Sequence, residues 1–156
     1  MLSKGKDKRS SRTRYRLKKN SKSGIRLSVF KSTNQNKAKG KVKKIFEDIK
    51  KSRKITKIPN FWKSLAHNPD NLERTWNSLK QIMKKGALDP VTKELIYVAV
   101  SITNSCDYCI RSHTTAAKKK GATDQMIKEM IDVVGLANQN NKLVAGYQVE
   151  VDKIYK

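Results

Sequence analysis

From Gly40 onward the apolar positions recur with helical spacing. In KVKKIFEDIKKSRK, Val42, Ile45, Phe46 and Ile49 stand at i, i+3, i+4 and i+7, which predicts an amphipathic helix. Ile55 to Pro59 reads as a connector, and Phe61 to His67 as a short apolar helix closed by Asn68-Pro69. A longer helix opens there, with Asn68 as N-cap and Pro69 at its first position. Leu72, Trp76, Leu79 and Met83 line one of its faces, and Gly86 ends it. Asp89-Pro90 repeats the start signal. The helix it opens, Val91 to about Ile102, is apolar nearly all round, the mark of a buried central helix. Asn104-Ser105 breaks that helix and caps the next, which runs from Cys106 to Lys120 and stops at Gly121. Thr123 or Asp124 caps a further helix with Met126, Ile127, Met130, Val133, Val134 and Leu136 on its apolar face. Asn138 to Asn141 interrupts it, and Lys142 to Val149 forms a final turn or two. The expected body is all-α.

The first forty residues follow no such pattern. Residues 1–24 hold only Met1, Leu2, Tyr15 and Leu17 as apolar groups, too few to offset the entropy of ordering the chain. Residues 25–30, IRLSVF, alternate apolar and polar and suit a short strand with no partner. Charge draws the same boundary. Residues 1–40 carry 14 basic residues and one acid, net +13; residues 41–156 carry 22 basic and 12 acidic, net +10. The chain is thus read as a disordered or loosely ordered basic extension over 1–38 and a helical domain over 39–156.

RTRYRLKKNSKSGIRLSVFKSTNQ resembles the start of the bacterial large-subunit ribosomal protein that binds 5S RNA, over about residues 9–33. That resemblance implies weak, salt-dependent nucleic-acid binding through phosphate contacts. A solvated extension, or a fused reading frame with no evolved role, is preferred to it, because charge runs specify function weakly. A transit peptide is disfavoured by the abundance of Lys. No apolar run approaches the roughly 18–20 residues that cross a bilayer. Lys and Ser follow Met1-Leu2 at once, so no secretory signal is expected and the expected compartment is a reducing cytoplasm. Two cysteines there, two residues apart, point to catalysis, redox exchange or metal binding rather than a structural staple.

Candidate chemistry gathers in ELIYVAVSITNSCDYCIRSH, residues 94–113. With Cys106 at a helix start, Cys109 and His113 fall on the same face. The positive end of the helix dipole favours a thiolate there, and His113 can take the thiol proton. The spacing also lets the two sulfurs close a disulfide. Glu94, an acid on an apolar helix, needs a partner. A turn at Asn104-Ser105 can bring it against His113, where a carboxylate orients an imidazole and raises its basicity. A zinc site is the main rival, but it has few thiols, an unsuitable spacing, and a fourth ligand to find from His67 or Glu94.

E-x11-C-x2-C-x3-H, here Glu94, Cys106, Cys109 and His113, is similar to the motif of the alkylhydroperoxidase D-like branch of the carboxymuconolactone decarboxylase superfamily. GKVKKIFEDIKK, IPNFWKSLAHNP and DVVGLANQNNKL also read like its peroxidase-related members, so the resemblance covers about residues 38–152. It implies an AhpD-like all-helical bundle, a homo-oligomer, and reduction of a hydroperoxide by a dithiol without cofactor or metal. In that scheme Cys109 is the peroxidatic thiol, Cys106 resolves its sulfenic acid to a Cys106–Cys109 disulfide, and Glu94 with His113 relays protons. An external dithiol, such as a lipoylated protein, resets the site. Tyr108 stands where the best-studied members carry His; it can hydrogen-bond but is a poor base near neutral pH. The decarboxylase branch lacks the paired cysteines. The rival function is a non-enzymatic RNA- or ribosome-associated binder whose helical body is a passive scaffold.

The remaining residues have plain readings. Trp62, Trp76, Phe61 and Tyr97 are expected in the core or a subunit interface. His67 is read as the end of its helix, Asp107 as a first-turn dipole partner, and Lys118 to Lys120 as a solvated last turn. Met126 and Met130 are expected to fill the core.

Overall fold

The structure, a computed structural model, describes residues 32–155. The expected strand at 25–30 and most of the arm-like segment lie outside the described residues. Six helices follow in order: α1 (Gly40–Arg53), α2 (Asn60–Leu65), α3 (Pro69–Met83), α4 (Pro90–Thr103), α5 (Asp107–Lys119) and α6 (Asp124–Gly146). Short 3-10 turns at Gln35–Lys37 and Lys153–Tyr155 flank them, and no strand forms among the described residues.

The start signals act as their chemistry dictates. The Asn68 side chain accepts from the Asn71 N–H at 3.0 Å, and Asp89 accepts from the Val91 and Thr92 N–H groups at 2.8 and 3.0 Å. Each satisfies backbone donors that no helical carbonyl can reach. Thr123, not Asp124, caps α6 through the Met126 N–H.

Two groupings of helices result. The α1 stripe of Ile45, Phe46 and Ile49 packs with Ile58, with Trp62 and Ala66 at α2, and with Leu72 and Trp76 of α3. The Trp62 and Trp76 rings meet edge to face at 5.3 Å. Trp76 Nε1 donates to Asp48 Oδ2 at 2.7 Å, so the indole is buried without stranding its polar atom. Lys80 and Trp76 together hold the Asp48 carboxyl down at about 2. Ile49, Ile58 and Leu72 are fully buried, each contributing roughly 2 kcal/mol of transfer free energy. The second grouping is α4 with α5 and α6, joined to the first where α3 meets α4.

Here several expectations change. The all-round apolar α4 is not sheathed: Glu94, Val98 and Ser101 are buried, whereas Ile96 is 49% and Val100 54% exposed. α6 runs unbroken through Asn138 to Asn141, because four Asn or Gln residues inside a helix cost only a few tenths of a kcal/mol each. Of its expected apolar face only Val134 is buried; Met126, Val133 and Leu136 are exposed, so Met126 fills no core. The cause is geometric. α6 packs against α4 on one side, leaving the outer apolar residues of both helices without cover in the single chain.

Candidate active site

α4 and α5 form a helical hairpin with a three-residue turn. Asn104 ends α4, Ser105 takes a left-handed φ of 53°, and Cys106 is the N-cap of α5. A serine in that region costs about 1 kcal/mol. The Cys106 N–H donates to the Ser101 carbonyl at 2.9 Å, and the Asn104 N–H to Val100 at 3.0 Å, which hold the reversal. Asn104-Ser105 therefore makes the turn, but Cys106 itself caps the helix.

The reversal sets α5 against the face of α4 that carries Glu94. Glu94 is 5% exposed, and both its oxygens are engaged. Oε2 lies 2.6 Å from His113 Nδ1, and Oε1 accepts from Lys120 Nζ at 2.6 Å. Burial pushes the carboxyl upward, but the bonds from His113 and Lys120 outweigh it and hold Glu94 below the ordinary range. An ionised carboxylate only accepts, so His113 carries its hydrogen on Nδ1 and Nε2 is left for other work. The Tyr97 ring stacks on the imidazole at 3.6 Å and 14°, fixing its plane.

The thiols sit at the start of α5, both half-buried and unbonded to each other. The Cys109 N–H donates to Cys106 Sγ at 3.4 Å, so the cap group is a sulfur. Burial, then the hydrogen bond and charge of Cys106, push Cys109 up to about 11. Burial and Cys106 thus oppose the pull of the helix dipole at Cys109. Partial burial and the adjoining Cys106 favour the neutral thiol. Ionising Cys109 near neutral pH therefore requires a base.

Cys106, Cys109 and Tyr97 line a cavity of about 490 Å³ whose other walls include Ile82, Met83, Leu88 and Ile96. Lys93 also lines it and is tied down, donating to the Ile82 and Lys84 carbonyls at 2.7 Å each. Burial and the neighbouring Cys109, Cys106 and Glu94 raise the Tyr97 hydroxyl. Tyr108 faces elsewhere. Its hydroxyl accepts the Phe61 N–H at 3.3 Å and joins the start of α2 to the start of α5. Among the described residues no three His, Cys, Asp or Glu side chains converge to hold a metal ion.

Two members of the site were missed. Lys120, expected in a solvated last turn, reaches Glu94, whereas Lys118 pairs outward with Asp124. The signal was present. Cys106, Cys109, His113, Ala117 and Lys120 continue one 3–4 stripe, and Ala117 within it is fully buried. Tyr97, at i+3 from Glu94 and expected in the core or a subunit interface, stacks on His113 and so joins the site.

The carboxymuconolactone decarboxylase family matches residues 69–149, which hold every residue of this site. The chain belongs to that family. Among solved structures, the chain is similar to the alkylhydroperoxidase AhpD core from Rhodospirillum rubrum. Identity is 46%, the TM-score 0.71, and the match covers 74% of this chain and 85% of that one. The all-α family fold is thereby shown, as is the AhpD-like superfamily. Curated family relatives include alkyl hydroperoxide reductase AhpD of Solibacter usitatus, 31% identical over 74 residues, and uncharacterized protein 4 in the cox locus of Paracoccus denitrificans, 44% identical over 52. The matches cover 47% and 33% of this chain and only 40% and 47% of those relatives.

Proposed function

We propose that the chain is a thiol-dependent peroxidase or disulfide oxidoreductase that reduces hydroperoxides through Cys109 and Cys106. The observation that carries this reading is the buried 2.6 Å contact between Glu94 and His113 on the helix that bears the dithiol. A carboxylate behind an imidazole makes a base, and a thiol pushed up to about 11 needs one. Similarity to two proteins named for alkyl hydroperoxide chemistry supports it.

In this scheme His113 takes the Cys109 proton. The thiolate attacks the terminal oxygen of the hydroperoxide, the O–O bond breaks, and the alcohol leaves with the proton from His113. Cys109 is then a sulfenic acid. The Cys106 sulfur displaces its hydroxyl as water and closes the disulfide. An external dithiol, of the kind a lipoylated protein carries, reduces that disulfide and is itself oxidised. Tyr108 bridges α2 and α5 rather than serving as a base. The exposed apolar residues of α4 and α6 are covered by further copies of the chain in a homo-oligomer. No helix among the described residues is long and apolar enough to cross a membrane.

The test is a dithiol-coupled assay with an organic hydroperoxide. The wild type is expected to consume peroxide catalytically. Cys106→Ser is expected to stop after one turnover with a sulfenic acid on Cys109 that a sulfenate-selective trap captures. No consumption by the reduced wild type, or a trapped adduct elsewhere, overturns the reading.

A further inference from the structure

We propose that Lys120 is a positioning residue of the thiol site, gripping one oxygen of the buried Glu94 carboxylate so that the other faces His113. The inference rests on the reading of Glu94 and His113 as a relay. Its basis is the geometry. Two α5 groups share one carboxylate, His113 on Oε2 and Lys120 on Oε1, each at 2.6 Å.

The local sequence explains why a lysine at the end of a helix turns inward. Lys120 is the C-cap of α5, and its N–H donates to the Ala116 and Ala117 carbonyls. Gly121 follows with φ 106°, a conformation open to glycine, and the Ala122 N–H closes back on Ala117. The chain leaves at once towards α6. The Lys120 side chain is only 34% exposed and reaches the buried carboxylate of Glu94 on α4. A cation near the last carbonyls also suits the helix dipole. That bland role leaves unexplained why Nζ reaches a carboxylate on another helix.

The charges around Glu94 make the consequence definite. From α5 it meets His113 and Lys120, and on its own helix Tyr97, which senses both thiols. Lys93, one residue before Glu94, is turned away from it and spends its Nζ on the Ile82 and Lys84 carbonyls. Lys120 is thus the fixed positive charge at this carboxylate. Without it, burial opposes the ionised form with only His113 to offset it, and Oε1 has no partner. With it, Glu94 stays an acceptor, the imidazole keeps its Nδ1 hydrogen, and Nε2 stays free to take the Cys109 proton.

The test compares Lys120→Met, Lys120→Arg and Lys118→Met with the wild type. The Glu94 carboxyl is titrated by carbon NMR, and Cys109 alkylation is followed against pH. In Lys120→Met, the Glu94 midpoint and the alkylation midpoint are both expected to move up by about one pH unit. Lys120→Arg is expected to restore most of both shifts. Lys118→Met, which removes an exposed charge paired with Asp124, is expected to move neither. In the peroxide assay Lys120→Met lowers kcat with little change in KM. Wild-type midpoints in Lys120→Met, in a variant whose spectrum shows it folded, overturn the proposal. If Lys120→Met does not fold, failure of Lys120→Arg to keep the wild-type Glu94 midpoint also overturns it. Both titrations are read without turnover, so a wild type inactive towards peroxide removes the peroxidase reading and leaves Lys120 decided on its own evidence.

Discussion

Cys109→Ser is expected to lower hydroperoxide consumption by at least about 10³-fold while leaving the helical fold unchanged. A serine hydroxyl has nearly the shape of the thiol but neither its acidity nor its polarisable sulfur. The side chain is half-buried beside the cavity, and its sulfur is tied only to the neighbouring Cys106, a contact that a serine hydroxyl can also make. The backbone N–H that reaches Cys106 remains. Thermal unfolding is therefore expected within about 0.5 kcal/mol of wild type, as for substitutions away from core and network. Coupled activity and a melting curve on the same sample check both halves. Retained turnover would place the chemistry on another residue.

The second large effect is expected in Glu94→Gln. The amide keeps the volume but removes the charge that orients His113 and answers Lys120. Turnover is expected to drop by about 10²-fold, the scale of a positioned acid–base group. Raising the pH recovers part of it, because hydroxide can then take the Cys109 proton directly. Stability changes with a defined sign. Glu94 in the fold sits below its ordinary value of 4.5, so its pairing stabilises the protein above that pH and fades as the pH falls below it. The variant should lose about 1–2 kcal/mol near pH 7. It should converge on the wild type at acid pH, read from denaturant melts at several pH values. A gap that widens on acidification contradicts an ionised, paired Glu94.

Much of this was legible in the sequence for physical reasons that can be named. Asn68-Pro69 and Asp89-Pro90 pair a capping side chain with a residue lacking an N–H, and the helices begin there. Glu94 stood out because an acid among VAV-type neighbours must have a partner, and the structure sets it against His113. What the sequence hid was of two kinds. Periodicity shows which residues are apolar, not what covers them, so it predicts for α4 and α6 a core that one chain does not supply. Lys120 was hidden by its neighbours: in a run of three lysines, composition reads as solvent while the helical angle of one points inward.

The family assignment sets the frame and the dithiol gives the reading its direction. One measurement joins them most directly. The fully reduced protein is mixed with a single equivalent of an organic hydroperoxide, without any reductant, and its mass and thiols are followed. The expected result is one alcohol formed, both thiols lost, and a product lighter by two hydrogens whose peptides are linked through Cys106 and Cys109. A protein that keeps both thiols after the peroxide is added, or that gains oxygen on Cys109 without closing the disulfide, contradicts the dithiol mechanism.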